Sequence, residues 1–181
     1  MDIDTKQLPQ KLQQEIIMTF QGCKPQGHLR LGLGSSEKVG QVAKTLVETG
    51  PVLLMATPSM KRLGVAQKLQ ALLEQAGLET DMFTDILPEP KVEGMLLAAK
   101  AVKAKPYTLV VGLGGGSALD TAKMTALFAT SAYDPMTLMR DESLCTEGLP
   151  TILLPTTSGA GSEISPFIVI SDNGDKFFVD H

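Results

Sequence analysis

Two cysteines and two histidines are all that 181 residues hold, and neither a basic cluster nor a long apolar run is present. Each scarcity removes a class of function. Cys23 and Cys145 stand alone, outside any Cys-x-x-Cys pair, so no disulfide framework is expected and a reducing cytoplasm is the default. His28 has no second histidine at ligand spacing, and one imidazole cannot build a metal site. Sixteen Lys and Arg are scattered through a chain of net charge −4, which argues against a nucleic-acid face. No run approaches the ~18 apolar residues of a membrane helix. Met1-Asp2-Ile3-Asp4 lacks the basic and apolar segments of a signal peptide. A soluble cytoplasmic chain forming one domain over residues 1–181 is predicted, with no membrane and no nucleic acid among its partners.

What is present is an alternation. Leu8 to Phe20 carries apolar residues at 8, 12, 16, 17 and 20 and predicts a helix. His28 to Leu33 predicts a short strand, and Glu37 to Thr49 a helix capped by Ser35 or Ser36 and ended by Gly50-Pro51. The turn from Gly32 to Ser36 needs no ligand to explain it. Val52 to Ala56 predicts a buried strand, and Met60 to Ala76 a helix capped by Ser59 and stopped by Gly77. Leu78 to Phe83, Tyr107 to Leu113 and Ile152 to Leu154 predict further strands. Pro88-Glu89-Pro90 opens a helix over Lys91 to Ala104, and Ala118 to Thr130 predicts another. Ser131 to Pro150 reads as irregular, with Arg140-Asp141-Glu142 facing water. Phe167 to Ser171 and Lys176 to Val179 flank Asn173-Gly174, the signal of a β-hairpin near the C-terminus. Strand alternating with helix predicts an α/β fold of the Rossmann-like kind: an open, mainly parallel sheet with helices on both faces.

Two loops stand out. Gly112 and Gly114 to Gly116 join a strand to a helix, with Ser117 as the expected cap and Asp120 three residues on, an acidic form of the capping box. Glycines let backbone approach a ligand, and a helix N-terminus offers open N–H groups and partial positive charge. That is a phosphate cradle, or else a purely structural tight turn. The spacing matches neither Gly-x-Gly-x-x-Gly nor the P-loop. The second loop, Pro155 to Glu163, crowds four hydroxyls and two glycines at another strand end. Hydroxyls and open N–H groups suit pyrophosphate and ribose oxygens. Ligands of open parallel sheets gather at such strand ends, so the two loops together point to a dinucleotide cleft.

Gly114-Gly115-Gly116-Ser117-x-x-Asp120-x-Ala122-Lys123, followed by Pro155-Thr156-Thr157-Ser158-Gly159-Ala160-Gly161-Ser162-Glu163, closely resembles the iron-containing alcohol dehydrogenase family. The resemblance extends over almost the whole chain after about residue 27. It includes Gly32-x-Gly34-Ser35, Ser165 to Ile170 and Lys176. It implies that Gly114, Gly115, Gly116 and Ser117 cradle the pyrophosphate of NAD or NADP. It also implies that Asp120 lies near the nicotinamide and Thr156 and Thr157 by the adenine and ribose. Ser162 would lie near the nicotinamide ribose, and Lys176 would contact a cofactor ribose. NAD-preferring members often carry an Asp where this chain has Thr57, and the neutral residue makes NADP admissible.

Members are about twice this length, and their Asp and three His metal ligands follow this region. Asp180 and His181 are an adjacent pair, too few for a metal site. The chain is therefore predicted to be the amino-terminal dinucleotide-binding half, without the helical metal-binding domain and without catalytic or metal residues of its own. In the full enzyme the resemblance implies hydride transfer between a primary or secondary alcohol and NAD(P), giving an aldehyde or ketone, with Fe2+ or Zn2+ bound there. A stand-alone nucleotide-binding or regulatory module without catalysis is the alternative. A lyase chemistry like that of dehydroquinate synthase is a third, which the form of the second loop disfavours. An uncovered apolar rim of the cleft predicts self-association into a homo-oligomer.

Overall fold

The computed structural model of the chain describes residues 16–19, 27–87, 91–172 and 175–180, with backbone alone for Ile16, Thr19, Glu142, Asp172 and residues 175–180. β1 (Ile16–Thr19) and β2 (His28–Leu31) pair antiparallel, Ile16 opposite Leu31. A 3-10 turn, Ser35–Lys38, runs into helix α1 (Val39–Leu46). There follow β3 (Val52–Ala56), helices α2 (Pro58–Arg62) and α3 (Val65–Gln75), β4 (Thr80–Phe83) and α4 (Val92–Val102). Then come β5 (Leu109–Gly114), α5 (Gly116–Thr130), α6 (Pro135–Arg140), β6 (Thr151–Pro155) and the strands β7 (Phe167–Asp172) and β8 (Asp175–Asp180).

β3 to β6 form one parallel sheet in the order β4-β3-β5-β6. All five residues of β3 are buried, because helices cover both faces. Successive side chains of a strand point to opposite faces. Val52, Leu54 and Ala56 accordingly meet Val39 and Ala43 of α1 and Ala66, Leu69 and Leu73 of α3. Leu53 and Met55 meet the other core, with Met95 and Ala98 of α4 and Met124 and Phe128 of α5. The chain steps outward from β3 to β4, then returns past β3 to β5. Strand order therefore reverses between β3 and β5, and open parallel sheets bind ligands at the carboxyl ends of strands beside such a reversal.

α5 sits deepest. Every residue from Ala118 to Phe128 is buried, since the sheet lies under the helix while α4, α6 and β7 close over it. Ile168 and Ile170 of β7 complete that core. A helix buried all round must satisfy its polar side chains internally. Thr121 and Thr125 do so by donating to the carbonyls of Ser117 and Thr121, each at 2.7 Å.

The parallel sheet, the helices on both faces and the β7–β8 pairing follow the sequence pattern, while several local expectations do not. Residues 16–19 of the expected Leu8–Phe20 helix form a strand: Ile16 and Ile17 are β-branched, and β2 offers them a partner. Residues 1–15 and 20, with Cys23, lie outside the described residues. The expected Glu37–Thr49 helix is a 3-10 turn followed by two α-helical turns. Gly34, not a serine, occupies its N-cap, and no side chain caps it. The Met60–Ala76 helix is broken at Gly64, whose φ of 77° no helix tolerates. Ser59 lies inside α2, behind Thr57 at the N-cap and Pro58 at the first position. Pro88-Glu89-Pro90, Asn173-Gly174 and His181 also lie outside the described residues.

The expected irregular stretch 131–150 contains α6, whose signal was Asp134-Pro135. Asp134 accepts from the Thr137 N–H at 3.1 Å and its pKa lies below the ordinary aspartate value, chiefly through its hydrogen bonds to Thr137. A depressed folded pKa stabilises above the unfolded value and ceases to do so as pH falls through the lowered one. Asp134→Ala should therefore melt below the wild type at neutral pH. The two melting curves should converge in acid, and a gap that persists there would assign the loss to something other than the charged cap. Arg140 and Asp141 are exposed, as the charge cluster suggested.

Candidate functional site: a two-loop cleft at the sheet crossover

The cleft is built where β3, β5 and β6 end side by side. β5 runs to Gly114, Gly115 is the N-cap of α5, and Gly116 begins the helix. The helix comes close because the strand lacks side chains: a Cβ on Gly112 would stand 2.8 Å from that of Ala122. One on Gly114 would stand 2.6 Å from the Cβ of Ala118 and 2.8 Å from Cγ2 of Thr57. Thr57, which follows β3 as the N-cap of α2, donates its N–H to the Leu113 carbonyl at 3.2 Å and shares a 2.9 Å hydroxyl contact with Ser59. Thr57 and Gly114 thus flank the point where strand order reverses.

The second loop leaves β6 against the first. Thr156 donates its N–H to the Gly114 carbonyl at 2.9 Å. A Cβ on Gly115 would lie 3.2 Å from Thr157 Oγ1, and one on Gly116 would lie 3.3 Å from Ser162 Oγ. Gly114, Gly115, Gly116, Thr57, Thr156, Thr157 and Ser162 are therefore brought together. Ser117 lies in the first turn of α5. Lys176 stands in β8 opposite Ser171, with its side chain outside the described part.

The capping box expected of Ser117 and Asp120 does not form. The N-cap is Gly115, and no side chain caps the helix. With a glycine one residue ahead of the glycine-rich turn's end, the helix starts earlier and turns Ser117 into its second residue. Its ladder opens with Ala118 and Leu119 donating to the Gly115 carbonyl at 2.9 and 3.1 Å. The N–H groups of Gly116 and Ser117 stand ahead of that ladder and, by helical geometry, have no partner within it. Partial positive charge at the start of a 15-residue helix adds to them. This is a fitting seat for a pyrophosphate, and a Cβ at 116 would crowd it.

Asp120, freed from capping, is 5% exposed and accepts from the Val169 N–H at 3.2 Å. Its other oxygen lies 3.1 Å from Nζ of Lys123, an ion pair with both side chains buried. Lys123 also donates to the carbonyls of Ser165, at 3.0 Å, and Phe167, at 2.6 Å, so that Asp120 and these two carbonyls surround its ammonium. Burial pulls the Lys123 pKa below the ordinary lysine value, against the opposing pull of Asp120 and Glu163. Glu163 Oε2 is buried with no hydrogen-bond partner. The motif contained Lys123 and Glu163, but sequence spacing assigned them no task. An Asp and a Lys three apart on a helix so apolar were the available signal. Among the described residues, no three His, Cys, Asp or Glu side chains gather as metal ligands.

This sequence and fold are similar to those of known proteins. The profile of the family described as iron-containing alcohol dehydrogenase matches residues 26–181. The chain belongs to the iron-containing alcohol dehydrogenase family. It is 37% identical over 133 residues to long-chain-alcohol dehydrogenase 1 of Geobacillus thermodenitrificans, covering 72% of this chain and 34% of that enzyme. It is 28% identical over 144 residues to the NADPH-dependent butanol dehydrogenase of Clostridium saccharobutylicum, covering 78% of this chain and 36% of the relative. The crystal structure of sulfoacetaldehyde reductase from Bifidobacterium kashiwanohense in complex with NAD+ superimposes with a TM-score of 0.71 at 25% identity, over 82% of this chain and 40% of that one. The chain thus spans well under half the length of these iron-containing alcohol dehydrogenase relatives. No helix among the described residues is long and apolar enough to cross a membrane.

Proposed function

We propose that this chain is the nicotinamide-dinucleotide-binding half of an iron-type alcohol dehydrogenase, in which the whole enzyme transfers hydride between a primary or secondary alcohol and NAD(P). The observation that carries the reading is the contact of the two loops at the sheet crossover, Gly115 against Thr157 and Gly116 against Ser162. The N–H groups of Gly116 and Ser117 hold the pyrophosphate, with Gly114 keeping the strand end narrow. Thr156 and Thr157 serve the adenosine side, and Ser162 and Lys176 serve ribose hydroxyls. Asp120 orders the helix start beside the nicotinamide. The dinucleotide, when bound, supplies the hydride chemistry. This chain's share is to orient it.

The chain covers 34% to 40% of the length of the relatives compared above, and in this reading the iron implied by the family and the alcohol or aldehyde substrate fall to the remainder of the enzyme. Two relatives bracket the cofactor: one is named for NADPH and one was solved with NAD+. Thr57 suits either, since it places no carboxylate where a 2′-phosphate would lie. Ile164 and Phe167, 48% and 57% exposed beside the second loop, give the cleft an apolar rim that a second body would cover. Self-association of the 181-residue chain is the expected consequence.

Calorimetric titration of the 181-residue chain with NADH and NADPH in parallel tests the reading. Saturable one-to-one binding of at least one is expected, with no alcohol oxidation by this chain even when Fe2+ or Zn2+ is added. Heat no greater than dilution for both would remove the cofactor reading, and turnover would remove the division of labour.

A further inference from the structure

We infer that Lys123 is a positioning residue that sets the gap between the two cleft loops and through it the grip on the dinucleotide, an inference that rests on the cofactor reading above. The second loop is tied to the α5 side at its two ends. At its start, Thr156 donates to the Gly114 carbonyl. At its return, Lys123 Nζ holds the carbonyls of Ser165 and Phe167, and Asp120 holds the Val169 N–H. Between these ties lie Thr157, which faces Gly115, and Ala160 and Ser162, which face Gly116. Asp120 and Lys123 sit one and two turns into the helix that those glycines begin. The latch and the cleft therefore share both backbone segments.

Energetics separates this role from simple packing. A buried ammonium loses most of its hydration, and a well-packed apolar residue of similar volume often leaves the fold equally stable. Lys123 is 1% exposed in a helix whose buried residues are mostly alanine, leucine, methionine and phenylalanine, so an apolar residue there would suit the core. What an apolar residue cannot supply is a donor that reaches two carbonyls of the returning loop. A methionine would leave Ser165 and Phe167 free to move away from α5, and Ser162 with them.

The experiment removes the ammonium on a background in which its Asp120 partner is already neutral. Asp120→Asn keeps an acceptor for the Val169 N–H while losing its charge, and Lys123→Met is then added on that background. The chain is compared as wild type, D120N and D120N/K123M by melting temperature, NADH titration and amide hydrogen exchange. D120N/K123M should melt within a few degrees of D120N, yet bind NADH at least ~10-fold more weakly, about 1.4 kcal/mol. Its amides from 156 to 169 should exchange faster while those of β3 and β4 keep their protection. Equal affinity and equal exchange in D120N and D120N/K123M would overturn the inference. So would a melting temperature and protection lost throughout the sheet, because the role would then be general stability. If the wild type itself binds no NADH or NADPH, the cofactor reading fails and takes the claim of grip with it. The exchange pattern then still reports, separately, whether Lys123 ties the loops.

Discussion

Gly116→Val is expected to lower NADH affinity by ~100-fold or more while leaving the chain folded. The fold has little reason to object: the residue is the first of α5, and valine costs only ~0.5–0.7 kcal/mol relative to the best helix formers. The cleft has every reason. A Cβ there already stands 3.3 Å from Ser162 Oγ and 3.4 Å from the Cβ of Ala160. The two γ-methyls of valine must then either force the second loop outward or fill the space in front of the Gly116 and Ser117 N–H groups. Either outcome removes donors from the phosphates, and two charge-assisted hydrogen bonds at ~1.5–3 kcal/mol each account for a loss of that size. Gly116→Ala should weaken binding much less, since its single methyl needs only a few tenths of an ångström from its neighbours. Circular dichroism checks the fold and calorimetry the affinity. Affinity within threefold of wild type for the valine variant would place the phosphates elsewhere.

Why some of this molecule was legible in the sequence, and some was not, follows from how far each signal reaches. Val52 to Ala56 is buried on both faces, so an unbroken apolar run announced the strand without help from any partner. The two loops were legible because glycine and hydroxyl residues are needed there for close approach, whatever surrounds them. The N-terminal stripe misled because its apolar spacing fits a helix on its own. Only β2, which lies nine positions further along the chain, makes the strand at Ile16–Thr19 preferable. Ser117 and Ser35 misled for a second reason. A hydroxyl near a helix start is a capping signal, but Gly115 and Gly34 reach the N-cap positions first. Lys123 was hidden most completely. Nothing in a lysine three residues after an aspartate says that the chain will close over it 42 to 44 positions later, and only that closure turns a surface ion pair into a buried tie between loops.

Thr57→Asp is expected to turn the cleft against NADPH by ~100-fold and leave NADH binding intact or tighter. Thr57 follows β3 beside Gly114, and the proposed function puts the adenosine there. At this position the wild-type side chain brings a hydroxyl and no charge. A carboxylate placed there accepts hydrogen bonds from the two ribose hydroxyls of NADH. Against the 2′-phosphate of NADPH it sets like charges a few ångströms apart. At ~4 Å and an effective dielectric of ~20, one pair of unit charges costs about 4 kcal/mol. Partial exposure and salt reduce that to the ~2.8 kcal/mol that a hundredfold change represents. The substitution is gentle on the fold, because aspartate caps helices at least as well as threonine and can keep the contact with the Ser59 hydroxyl. The salt response supplies an internal control: the NADPH defect should shrink as ionic strength rises, while NADH affinity in the variant changes little relative to wild type. Equal losses for both cofactors would mean that Thr57 shapes the crevice sterically, and an unchanged NADPH affinity would mean that the 2′-phosphate lies away from the end of β3.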